Sequence, residues 1–279
     1  MSDVIPKLFD RQVYLARLRK ASAVQGPLFA HVADELAERL SVINHRFSDV
    51  LVIAPEAGLF EAVLKASGKC GTIATHAPAV ADDLGLVPHS SDLVINLLDL
   101  HCVNDVPGML AQCARALRPD GLFISCCFAA ETLQELRQSW LAAESATVDG
   151  ASLRIAPMIG VREMGGLLQR AGLALPVSDV DHIILRYADA LALMREIKVF
   201  GFANPLHERR KNFTSGRILA LAAQDYQQNN SDADGRVRAT LDLLWAMAWK
   251  PHDSQPRPLK PGSATARLAD VLKALDDEG

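Results

Sequence analysis

Asp99 and His101 stand two residues apart just beyond the apolar run Asp92-Leu93-Val94-Ile95-Asn96. That spacing could pair a base with an orienting carboxylate if a substrate lay above the strand end. A histidine that caps the strand and bonds to backbone explains the same residues, and no partnered nucleophile accompanies them. A second place for chemistry is the loop Ala54-Pro55-Glu56-Ala57-Gly58, which follows an earlier apolar strand. A nucleotide-type ligand needs close backbone approach in such a loop and a carboxylate for its ribose at the end of the next strand. Here the loop holds one glycine, Gly58, and Thr75-His76-Ala77 holds no acid. An ordinary strand-to-helix turn without a ligand is the alternative.

Other reactive residue types read as structural. The five cysteines, Cys70, Cys102, Cys113, Cys126 and Cys127, are odd in number and lack metal-ligand spacing, so reduced core thiols and no metal site are expected. Strand alternation sends adjacent Cys126 and Cys127 to opposite faces. Trp245 and Trp249, four apart, share one face of a helix or a strand and read as core. The run Arg209-Arg210-Lys211, flanked by His207 and Glu208, is a solvated charge run or a dock for an acidic client. Pro251, Pro256, Pro258 and Pro261 hold a late segment extended. With His252 and Arg257 it suits either a lid over the cleft or recognition of a partner.

The elements that must position these residues follow from composition and period. Of 279 residues, 49% are hydrophobic, 22% are charged and only 5% are aromatic, which favours helix-covered α/β packing. A formal net charge of −4 argues against a phosphate-driven nucleic-acid binder. Charged residues from Asp3 to Lys20 interrupt the start, and no apolar run is long enough to cross a bilayer. A cytoplasmic protein without a membrane span is expected. Helical periodicity covers residues 27–43, 59–67 and 104–117, buried strands are expected at 49–54 and 122–128, and further strands at 71–75 and 92–96. Arg118-Pro119-Asp120-Gly121 is a turn signal. Strand and helix alternate over 49–146, which implies right-handed βαβ units and a doubly wound, Rossmann-like sheet. Helices are expected at 131–145, 158–171, 189–200 and 217–226, a strand at 177–187 and a terminal helix at 264–275. Val237 to Trp249 fits either a helix or a strand. The layout is one unit: an N-terminal helical cap (1–46), a Rossmann-like core (47–146), helical insertions and last strands (147–250), and a Pro-rich segment with a terminal helix (251–279).

Three stretches in this order, Val50 to Gly58, Asp92 to Asn96, and Leu117 to Phe123, resemble the class I S-adenosylmethionine-dependent methyltransferases. Phe9-Asp10-Arg11, Leu100 to Pro107, Thr132 to Arg137 and the late run Trp249 to Pro258 are similar to one branch of that family. That branch comprises the respiratory complex I assembly factors and their proteobacterial relatives, which are akin to the malonyl-carrier-protein methyltransferases of biotin synthesis. The resemblance implies that Ala54, Pro55, Glu56, Ala57 and Gly58 form the cofactor loop. It places the ribose near Thr75 or His76 and strand-end contacts at Asn96, Leu97, Leu98 and His101. Between Thr75 and Asp92 lie only 16 residues, too few for the helix and strand the family fits there, so one βα unit is expected to be missing. The implied activity is methyl transfer from S-adenosylmethionine to a protein or acyl substrate, which rests largely on alignment of the reacting groups. The loop's single glycine, Pro55, Glu56 and the missing ribose acid sustain a second reading, a non-catalytic assembly factor or binding protein that lost the cofactor. The assembly-factor relatives imply a third, hydroxylation of a client's arginine.

Overall fold

The computed structural model describes residues 7–21, 26–81, 83–147 and 150–256. Val50-Leu51-Val52-Ile53 and Leu93-Val94-Ile95 offer no polar face to water, so they become inner strands covered by helices. They belong to β1 (Phe47–Ile53) and β3 (Ser91–Leu97). With β2 (Cys70–His76), β4 (Leu117–Phe128), β5 (Ala174–Tyr187) and β6 (Val237–Trp249) they form one six-stranded sheet, ordered β2-β1-β3-β4-β6-β5. Strands β1 to β4 run parallel, and β6 is antiparallel to both its neighbours. The ambiguous segment 237–249 is therefore a strand, and its long apolar run reflects burial on both faces, Leu243 and Trp245 on one and Leu244, Ala246 and Ala248 on the other. The turn expected at Arg118–Gly121 lies inside β4 as an irregularity, where the register to β3 shifts and Asp120 takes a φ of 64°.

Helices cover both faces. α2 (Pro27–Val42) and α3 (Ala57–Ala66) pack on Val50, Val52, Ile95 and Trp245. On the opposite face α4 (Val106–Ala116) and α6 (Val161–Arg170) pack on Ile53, Val94, Phe123 and Leu244. Cys126 joins the first layer and Cys127 the second, as alternation requires. α5 (Gln134–Ser145), α7 (Ala190–Val199) and α8 (Gly216–Asn230) form a third apolar cluster with the first residues of β6. α1 (Arg11–Ala21) packs through Tyr14, Leu15 and Leu18 against Cys102, Ala156 and Leu206. Between β2 and β3 the described residues hold neither helix nor strand, as the short span implies. Among the described residues no helix is long and apolar enough to cross a membrane.

Two of the sequence stretches that carried the resemblance prove to be partners. Asn104 holds Phe9 from both sides, accepting from its N–H at 2.7 Å and donating to its carbonyl at 3.1 Å. Asp10 accepts from Val13 N–H at 3.2 Å at the start of α1 and from Arg209 at 2.9 Å. Asp105 caps α4, accepting from Gly108 N–H at 2.8 Å. Asp105→Ala removes that cap, and urea unfolding should show a loss of about 1 kcal/mol.

Candidate functional site

The carboxyl ends of the parallel strands share one rim, because His76 pairs with Ile53, Ile53 with Asn96, and Asn96 with Ser125. This is where open α/β sheets bind ligands. Ala54 is buried, and its N–H donates to His76 O at 3.3 Å. Pro55 and Glu56 then lead into α3, whose first turn holds Ala57 and Gly58. Glu56 Oε1 is buried without a hydrogen-bond partner, and so are both polar atoms of the fully buried Asn96 side chain. Buried amides are nearly always bonded, so an Asn orphaned at both ends at a strand-end rim marks a place for a ligand. Leu97 and Leu98 are buried and apolar. Thr75 is exposed, and His76 turns back to bond Ala77 O through Nδ1 at 2.7 Å. Among the described residues, neither Thr75 nor His76 brings a carboxylate to this ribose end.

Beyond β3 the chain turns through Leu98 at a φ of 55° into a short 3-10 turn, Leu100–Cys102, that draws Asp99 and His101 inward. A leucine in the left-handed region is strained, and the strain sits beside the candidate site. Asp99 does not orient His101. Its two oxygens accept from Arg11 of α1, at 2.6 and 3.4 Å, with both partners buried. Burial is the largest single influence on Arg11 and would lower its pKa, but the charge and the hydrogen bond of Asp99, with smaller contributions from Tyr14 and Cys102, together raise it. Arg11 also donates to Ala79 O at 2.7 and 3.1 Å. One guanidinium therefore ties α1, the segment after β2 and the loop after β3 together.

His101 is held by rings instead. Tyr14 Oη lies 3.0 Å from Leu98 O, to which it donates, and 3.2 Å from His101 Nε2. Phe128 lies 4.5 Å from the imidazole, centroid to centroid. Burial, reinforced by the Arg11 charge, lowers the His101 pKa to about 3, so the ring stays neutral in the fold. Its Nδ1 is buried without a partner. Of the two alternatives for these residues, the base with its orienting carboxylate is not formed, since Asp99 is engaged by Arg11, and burial makes His101 a weak base. Between pH 6.5 and 3 the unfolded chain binds a proton on this ring that the folded protein does not. Its neutral burial therefore costs nothing above pH 6.5, and the penalty grows to about 2 kcal/mol by pH 5. Urea titrations should show this loss of stability, and His101→Phe should remove it.

His101 faces a cavity of about 400 Å3 with mostly apolar walls, among them Phe128, Leu136, Met158, Ile183 and Phe202. A region spanning residues 34–125 matches the family model described as "Methyltransferase domain". The rat protein "Arginine-hydroxylase NDUFAF5, mitochondrial" is 32% identical over 294 residues, covering 96% of this chain and 85% of that protein. "Malonyl-[acyl-carrier protein] O-methyltransferase" of Laribacter hongkongensis is also 32% identical, over 91% of each chain. The chain belongs to the class I S-adenosylmethionine-dependent methyltransferase family. Against the zebrafish arginine-hydroxylase the match is 38% over 182 residues and spans only about half of that protein, 56%. A Bacillus halodurans structure provisionally assigned as a methyltransferase shares the fold, with a TM-score of 0.50 at 13% identity over 78% of this chain and 98% of that one.

The methyltransferase fold separates the sequence candidates into two groups. Ala54 to Gly58, Thr75, His76, Asn96 to Asp99 and His101 gather at or just beyond the rim. The late run does not. Lys250 to Pro256 packs at the amino end of β4, where Asp120 N–H donates to Lys250 O at 3.1 Å and Gln255 donates to Asp120 at 2.8 Å. His252 is exposed and bonds Ser254 Oγ at 2.8 Å. That end lies opposite the rim, so the described part of the run is no lid. Arg257 and the expected terminal helix lie outside the described residues. Sequence reasoning also missed Tyr14, whose signal was its place three residues after Arg11 on one buried helix face. His31, Glu35 and Asp181 bring potential metal-ligand atoms within 4.8 Å of one another. Arg39 lies 3.6 Å from Glu35, and its guanidinium charge opposes a cation there.

Proposed function

We propose that this protein binds S-adenosylmethionine at the rim and transfers its methyl group to an acyl or protein-borne acceptor seated in the apolar cavity. The observation that carries this reading is the set of orphaned buried polar atoms, Glu56 Oε1, Asn96 Oδ1 and Nδ2, and His101 Nδ1. An ammonium and a sulfonium both seek acceptors and negative charge, so Glu56 and Asn96 fit the amino-acid end of the cofactor. The ribose end offers Thr75 and His76 in place of a carboxylate, so weaker binding there is expected. When bound, the cofactor supplies an electrophilic methyl on sulfur.

What the chain adds is position and dryness. His101 offers Nδ1 to a polar atom of the acceptor, and Phe128, Phe202 and Met158 exclude water beside it. Because burial makes His101 a weak base and Asp99 is engaged by Arg11, the site suits an acceptor that arrives already nucleophilic. A carboxylate meets that need: it takes the methyl, becomes an ester and requires no base. This agrees with the bacterial relative's name as an O-methyltransferase. The resemblance to respiratory complex I assembly factors makes a protein client the other acceptor, and the eukaryotic relatives' name, arginine-hydroxylase, says that those proteins act on arginine. Calorimetric titration with S-adenosylmethionine and S-adenosylhomocysteine tests the reading, with saturable heat and a thermal shift that grows with ligand expected. No heat and no shift at millimolar ligand would leave the binding-protein reading standing instead.

A further inference from the structure

A second cavity, of about 420 Å3, shares Trp140, Arg154, Ala203 and Asn204 with the apolar one. Its other walls are Arg17, Arg209, Arg210 and Lys211. Five cationic side chains and no carboxylate thus line it, in a chain of formal net charge −4. Arg154 is fixed by Glu144 and by Thr214 at 2.8 Å, and its guanidinium lies 4.6 Å over the Trp140 ring. Arg17 is tethered to Ala203 O and Asn204 O, both at 2.8 Å. Its pKa is lowered by burial and then by Arg209, a like charge whose effect exceeds the opposing pull of nearby Asp10. Arg209 pairs with Asp10. Arg210 and Lys211 are exposed, and neither makes a hydrogen bond or ion pair among the described residues. Apolar side chains flank the cations in sequence, Leu153 at 63% and Phe213 at 101% exposure.

We propose that the two cavities form one binding site for an amphipathic anion, its carboxylate or phosphate held by Arg17, Arg210 and Lys211 and its alkyl chain lying past Trp140 into the apolar cavity. Clustered guanidinium groups match planar or tetrahedral anions, and the crowding of like charges is relieved when one binds. The apolar cavity gives the chain a dry place to lie. Trp140 and Arg154 stand at the boundary, where such a ligand changes from polar to apolar. The site does not depend on cofactor binding, so it can fail or hold separately from methyl transfer.

Trp140 also provides the readout. Titration with 2-bromododecanoic acid should quench tryptophan emission saturably, because its bromine, next to the bound carboxylate, would lie by the Trp140 ring, and Trp140→Phe should remove most of the quenching. The uncharged 2-bromododecan-1-ol, and the double variant Arg210→Glu/Lys211→Glu with the acid, should each bind at least tenfold more weakly. Circular dichroism should show that the double variant, altered only at exposed positions, remains folded. Displacement of the bromo acid by dodecyl phosphate, or by phosphatidylglycerol vesicles but not phosphatidylcholine vesicles, would identify a soluble or a membrane source of the anion, and either supports the site. Equal affinity for acid and alcohol, an unchanged affinity in the charge-reversed variant, or no quenching would overturn it.

Discussion

Asp99→Ala should lower the free energy of unfolding by about 3–5 kcal/mol, measured by urea denaturation. The variant leaves the Arg11 guanidinium buried with only the carbonyls of Ala79 and Cys102 as partners. Removing one half of a buried ion pair costs far more than the pair contributes net, because the remaining charge has lost its counter-ion and cannot reach water. The double variant Arg11→Met/Asp99→Leu should therefore recover most of the loss. Recovery would show that the pair fixes geometry more than it adds stability. Since Arg11 ties α1 over the rim, the single variant should also weaken cofactor binding. An Asp99→Ala protein as stable as the parent would show that Arg11 is not confined as described.

Asn96→Leu should move stability and binding in opposite directions. With its amide unpaired in the ligand-free protein, Asn96 carries a desolvation penalty of about 1–3 kcal/mol, and leucine of similar volume removes it. The free protein should gain stability on that scale, and S-adenosylmethionine affinity should fall by about 10- to 100-fold, the equivalent of one or two buried hydrogen bonds. Loss of stability would mean that Asn96 is bonded within the fold and is not reserved for a ligand.

Much of the core was legible because buried parallel strands are written as short apolar runs, such as Val50 to Ile53 and Leu93 to Ile95. The missing βα unit was legible from length alone. Segment 237–249 was not, because a strand covered on both faces loses the alternation that separates it from a buried helix. At the site, strand order placed the loop of Glu56 and the loop of His101 at one rim, and the family resemblance added Asn96. Spacing could not show that Asp99 belongs to Arg11, 88 residues away, rather than to His101. Ion pairs across such distances leave no local periodicity. The same holds for the late run, whose prolines announced an extended segment but not the end of the sheet where it lies.

Crystals grown with saturating S-adenosylhomocysteine give the most telling observation. The ligand should lie at the ends of β1 and β3 with polar atoms in hydrogen-bonding distance of Asn96 and Glu56, and with its sulfur turned toward the His101 cavity. Density for the ligand elsewhere, or an empty rim with Asn96 still unbonded at saturating ligand, would contradict the proposed methyl-transfer site.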